Sequence, residues 1–248
     1  MNIPIIMLHY IGELKSKGLE NWSISTAKFD LLLSLIEKKG LMPTTFEEIS
    51  KNTNINFSKS VILTFDDCPD TLFEYAIPQL LKRNMKAVFS IPTAQIGGFN
   101  EWDVKQQDFA KVMLMSAEKL KYLAGMGMEI ASHGQWHLNG NQISEDQFLQ
   151  EITNSKQLLE KLLGKKICTF TYPYGEVPKN YKNLLNEIGY QYGLSIYQSN
   201  QNNFALRRIG IHETDTPKSI SFKLSKNYLL LRILLDLLLS FRSLLRSK

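Results

Sequence analysis

The chain has 248 residues, 44% of them hydrophobic and 21% charged, with 14 Gly and 8 Pro. That composition excludes a disordered chain, a collagen-like repeat and a disulfide-stapled miniprotein, and the length suits one α/β barrel or two small domains. The net charge of +5 is uneven: residues 218–248 carry seven basic residues against one acid, Asp236, leaving 22 basic against 23 acidic residues before them. The body is therefore near neutral, and no nucleic-acid partner is expected. Cys68 and Cys168 make neither a disulfide framework nor a CxxC pattern. The opening MNIPIIMLHYIGE lacks a basic n-region, a long apolar stretch and a small-residue cleavage site, so cytoplasmic synthesis without a signal peptide is expected.

Short β-rich runs alternate with helical segments. The predicted strands, in chain order, are 3–8, 61–65, 87–91, 128–132, 167–172, 192–196 and 205–211. Ser25-Thr26 begins a helix with Phe29, Leu32, Leu33 and Ile36 on one face and Gly40 as its stop. Pro78 should kink or break a helix over 72–83. Residues 94–115 form a long connection of the kind that carries function. Ser144, with Gln147 at the capping-box position, starts a longer helix that Gly164 ends. Buried strands alternating with helices predict a parallel sheet, and seven of them predict a closed or nearly closed β/α barrel. A doubly wound sheet is the alternative, but no GxGxxG follows the first strand.

In parallel α/β folds, reactive groups collect at the C-terminal ends of strands. Here those ends carry His9, Asp66-Asp67, Ser132-His133 running on to His137, and Tyr172-Pro173-Tyr174-Gly175; the fourth histidine, His212, follows the last strand. Each alone has a plainer reading: an Asp pair caps a helix, YPYG makes a turn, and a strand-end His is hydrogen bonded in a core. Together, two carboxylates and two imidazoles on one rim give three ligands for a divalent ion and one spare carboxylate to act as base.

The ordered motifs TFDD (64–67), SHGQWH (132–137) and TYPYG (171–175) resemble those of the polysaccharide deacetylase family, the NodB-homology carbohydrate esterases. PIIMLHYI, PTTFEEI, IGGFNEWD and MSAEKLKYLAGMGMEIASH extend the resemblance over about residues 3–225. It implies a deformed (β/α)7 TIM-like barrel and metal-dependent removal of N-acetyl, or sometimes O-acetyl, groups from sugars. By the same resemblance, Asp66 is the catalytic base and Asp67, His133 and His137 are metal ligands. Zinc is the default ion, with iron, cobalt or nickel able to use the same set. The tetrahedral oxyanion is expected between the ion and a backbone N–H, that of Tyr174.

The chain departs from the family pattern at Cys68, where glycine is usual, and at Thr171, where many members have an arginine. The supporting Asp-Trp motif is also missing. Arg207 or Arg208 could supply the lost cation, and Arg208 is favoured. His212 is the positional candidate for general acid, and His9 is its competitor. The alternatives in function are an O-acetyl esterase, a deformylase acting on a lipid-linked sugar, or a degenerate glycan-binding barrel.

The expected division is a barrel over 1–225 and a basic amphipathic tail over 226–248. On a helix, Arg232, Asp236, Ser240 and Ser243 line one stripe of that tail. The tail either packs on the barrel or a second subunit, or lies in a membrane surface as a peripheral anchor.

Overall fold

The computed structural model describes residues 3–12, 17–52, 55–197 and 202–232. β1 (Ile5–Leu8) is buried along its length, and β2 (Tyr10–Ile11) runs on from it to pair in parallel with β3 (Ser23–Ile24). The Ser25 side chain caps α1 (Thr26–Lys38) by accepting from Lys28 N–H, and the four expected apolar residues are fully buried. Gly40, at φ +63°, ends the helix. β4 (Met42–Pro43) leads to α2 (Phe46–Lys51), capped by Thr45.

β5 (Ser60–Phe65) precedes α3 (Ala76–Lys82). Pro78 does not kink that helix. It stands in the first turn, where a missing N–H costs nothing, and a separate 3-10 turn covers Asp70–Phe73. β6 (Val88–Ile91), α4 (Glu101–Gln107), α5 (Ala117–Gly125) and β7 (Glu129–Ser132) follow. The capping box of Ser144 and Gln147 starts α6 (Glu145–Leu163), and left-handed Gly164 closes it. The remaining elements are β8 (Thr169–Thr171), α7 (Tyr181–Ile188), β9 (Tyr192–Ser195), β10 (Leu206–Arg207), β11 (Ile209–Gly210) and α8 (Pro217–Lys223).

The predicted strand over 205–211 is broken in two at Arg208. β10 pairs with β9 while β11 pairs with β1, so the two halves join opposite edges of one parallel sheet ordered β10-β9-β8-β7-β6-β5-β1-β11. Counted as one interrupted strand, they complete a nearly closed seven-stranded barrel. The break follows from where Arg208 bonds: its N–H donates to Ser195 O, its carbonyl accepts from Arg232, and its side chain is buried.

Strand alternation sorts the two faces. Ile5, Ile62, Val88, Ala131, Leu194 and Leu206 pack together inside the barrel, and Phe46 and Ile49 of α2 join that cluster. The α2 N-terminus is bonded to buried Glu129, which accepts from Glu47 N–H at 2.9 Å. Leu63, Phe65, Phe89, Ile130 and Phe170 face outward into a second core shared with the helices. Two residues beyond Thr64, the same alternation delivers Asp66 to the inside of the rim, and two beyond Ala131 it delivers His133.

Residues 226–232 are helical, and Tyr228 and Leu229 pack against the core. The rest of the expected amphipathic tail, including Asp236, Ser240 and Ser243, lies outside the described residues. Among those described, no helix is long and apolar enough to cross a membrane.

Candidate active site

The rim of the barrel encloses a cavity of about 250 Å³. Asp66, Asp67, His133 and His137 line it, as do His9, Tyr174 and Arg208. His212 does not: it is exposed and lies at a smaller neighbouring hollow.

Asp66 is 2% exposed and accepts from Arg208 Nη1 at 2.7 Å. Burial alone would raise its pKa, but Arg208, then His133 and His9, outweigh that and hold the carboxyl well below the usual range. Arg208 Nη1 also donates to Thr64 Oγ1 at 3.2 Å, which fixes the guanidinium one layer beneath the carboxylate. Arg207 instead donates to the Ile196 carbonyl.

Asp67 Oδ1 lies 3.5 Å from both His133 Nε2 and His137 Nε2. Two ligands ~2.1 Å from a shared tetrahedral ion stand about 3.4 Å apart, so the spacing fits a common cation. Two further observations fit. Asp67 Oδ1 is buried with no hydrogen-bond partner among the described residues, and burial with the nearby Asp103 and Asp66 carboxylates pushes its pKa well up. His133 Nδ1 is 2.8 Å from the Thr171 carbonyl, which selects the tautomer that leaves the Nε2 lone pair toward Asp67. Burial holds both imidazoles below their ordinary pKa, as neutral ligands require.

The backbone around these groups is unusual. Asp67, Cys68, His137 and Tyr174 all have φ between 56° and 62°. At Cys68 this left-handed conformation explains the glycine of the family pattern. The thiol is fully buried and its pKa is raised by burial and then by Asp67 and Asp66, so it is a small residue in a turn rather than a reactive thiolate. Tyr174 sits in the 3-10 turn Pro173–Gly175, with its ring edge-on to His137 at 4.9 Å.

Glu151, Asp103 and Trp22 carry no role in the sequence reading. Glu151 of α6 is 5% exposed and accepts from the N–H groups of Gln135 and Trp136, both at 2.9 Å. It thereby pins the loop between the two histidines. Any side chain at Gly134 would collide with it, since a Cβ there would lie 2.9 Å from Glu151 Oε2. Trp102, from the long 94–115 connection, stacks on His137 with ring centroids 4.2 Å apart, and Asp103 beside it also lines the cavity. Trp22 packs on His9 at 4.8 Å. Trp136 is half exposed and is not among the cavity's lining residues.

With this geometry in place, a family model described as polysaccharide deacetylase matches residues 54–193. The chain belongs to the polysaccharide deacetylase family, hydrolases of the carbohydrate esterase type. It is 25% identical over 213 residues to the poly-beta-1,6-N-acetyl-D-glucosamine N-deacetylase of Staphylococcus aureus (strain MRSA252), covering 80% of this chain and 71% of that one. Among solved structures, a Streptococcus pyogenes deacetylase in complex with acetate shares the fold with a TM-score of 0.76 at 23% identity, over 90% of this chain and 98% of that one. IcaB from Ammonifex degensii matches with a TM-score of 0.71 at 21% identity, over 90% and 97%. These likenesses bear out the TIM-like barrel expected from the sequence.

Proposed function

We propose that the chain is a divalent-metal-dependent N-deacetylase that hydrolyses the acetamide of an amino sugar in a polysaccharide or glycan precursor. One observation carries this reading: a single cavity holds Asp66, pinned by Arg208, beside the convergent group Asp67, His133 and His137. A divalent ion held by those three residues, zinc by default, would polarise the acetamide carbonyl and acidify its water.

The protein's own groups supply the rest. Asp66 takes the proton of the attacking water, and its contact with Arg208 keeps it ionised and aligned to do so. The Tyr174 N–H donates to the developing oxyanion. His9 Nε2 stands 3.8 Å from Asp66 Oδ2, so His9 rather than His212 hands a proton to the leaving amine. Burial lowers the His9 pKa to about 4 against the pull of Asp66, so its ring rests neutral, receives the proton that Asp66 has taken from the water, and passes it to the leaving nitrogen as the C–N bond breaks. The similarity to poly-beta-1,6-N-acetyl-D-glucosamine deacetylases supports a polymer of N-acetylglucosamine as substrate.

The test is acetate release from N-acetylglucosamine oligomers before chelation, after it, and after zinc is restored. Loss and recovery of release are expected. Release that survives complete removal of metal contradicts the metal role. Release only from O-acetylated sugars replaces the amide by an ester.

A further inference from the structure

Two polar groups on the cavity wall have no part in the chemistry above. Tyr10 is 1% exposed, and its hydroxyl has no hydrogen-bond partner among the described residues. Its ring is held by Leu19 and Val112, so a phenylalanine would fill the same slot without burying an unsatisfied hydroxyl. Leaving such a group unpaired is unfavourable in a free protein. Burial, followed by the Asp67 and Asp103 carboxylates, keeps the phenol protonated and therefore a donor. Asp103, 8% exposed, lines the same cavity. Asn100 Nδ2 donates to its Oδ2 and Gln107 Nε2 to its Oδ1, each at 3.1 Å, so the carboxylate is held in place. Each of its oxygens keeps a second lone pair for a ligand.

We infer that Tyr10 and Asp103 form a hydroxyl-binding subsite that selects the sugar ring: Tyr10 donates to one ring hydroxyl, and that hydroxyl donates to Asp103. A sugar hydroxyl is both acceptor and donor, which is what a phenol and a carboxylate together demand. The cavity is small beside ordinary ligand pockets, so the subsite reads the ring that bears the reacting acetamide. This inference rests on the N-deacetylase reading for its substrate class. It does not depend on which residue is base or acid.

The experiment compares wild type, Tyr10→Phe and Asp103→Asn on N-acetylglucosamine oligomers and on analogues lacking single ring hydroxyls. Acetate release gives kcat and KM, and titration calorimetry gives affinity. Tyr10→Phe should raise KM about tenfold with kcat within about twofold, as expected for loss of one hydrogen bond to bound sugar. One monodeoxy analogue should show that same loss on wild type and no further loss on Tyr10→Phe. Asp103→Asn should weaken binding of the parent oligomer but not of that analogue. A Tyr10→Phe protein with altered melting temperature but unchanged KM and affinity overturns the subsite, as does a deoxy series in which no analogue couples to Tyr10. Should wild type bind the oligomers without releasing acetate, the deacetylase reading fails while calorimetry still decides the subsite. Absence of both binding and release overturns the two together.

Discussion

Arg208 reaches from the break in the last barrel strand to donate to Asp66 Oδ1 at 2.7 Å, and both side chains are all but sealed from water. The pair joins the closure of the barrel to the chemistry at its rim. Removing one partner leaves the other charge buried alone, which costs about 3–5 kcal/mol in comparable pairs. The Arg208 backbone carbonyl is held in turn by Arg232 of the C-terminal helix.

This contact sets a pH dependence. Asp66 has a folded-state pKa below its unfolded value, so its stabilising contribution is present above the unfolded pKa of about 4 and is lost as pH falls through the depressed one. The acid limb of kcat/KM in wild type therefore reports groups other than Asp66. Arg208→Gln removes the largest influence lowering that carboxyl, so activity should fail at a higher pH than in wild type. Rate profiles of the two proteins check this; coincident acid limbs contradict it.

Glu151 makes a second prediction, about the loop rather than the reacting atoms. Its carboxylate ties down two N–H groups between His133 and His137. Glu151→Ala should weaken metal retention on the order of tenfold or more, since supports around a ligand set tune its affinity by such factors. Competition with a chromophoric chelator measures it. An unaltered affinity would mean the loop holds its shape without the carboxylate.

His9 and His212 separate cleanly by position. His9→Ala should lower kcat at least a hundredfold with metal content unchanged, within the usual range for general acid–base catalysis. His212→Ala should leave kcat within about twofold, because its ring lies outside the cavity. The opposite pattern assigns the acid to His212.

Much of this was legible in the sequence because strand periodicity is two. Asp66 and His133 follow inward-facing positions of buried strands, and a parallel barrel gathers strand ends at one rim. Turn chemistry was equally readable at Ser25, Ser144 and Gly164. What escaped depends on contacts between distant segments. Arg208 interrupts a strand that pattern alone shows as continuous, because its backbone bonds to Ser195 and Arg232. Asp103 sits on a helix within a connection whose path no periodicity fixes. Glu151 did leave a signal. It falls at helical spacing with Phe148, Ile152, Ser155 and Leu159, all buried, and a charge on the buried face of a helix calls for a partner.

The central claim is that Asp66 acts as base beside a metal held by other residues. Elemental analysis of purified wild type and Asp66→Asn, with acetate release from N-acetylglucosamine oligomers in parallel, addresses it most directly. The account predicts about one divalent ion in both proteins and acetate from wild type alone. Asp66→Asn that binds metal and releases acetate at the wild-type rate would contradict it.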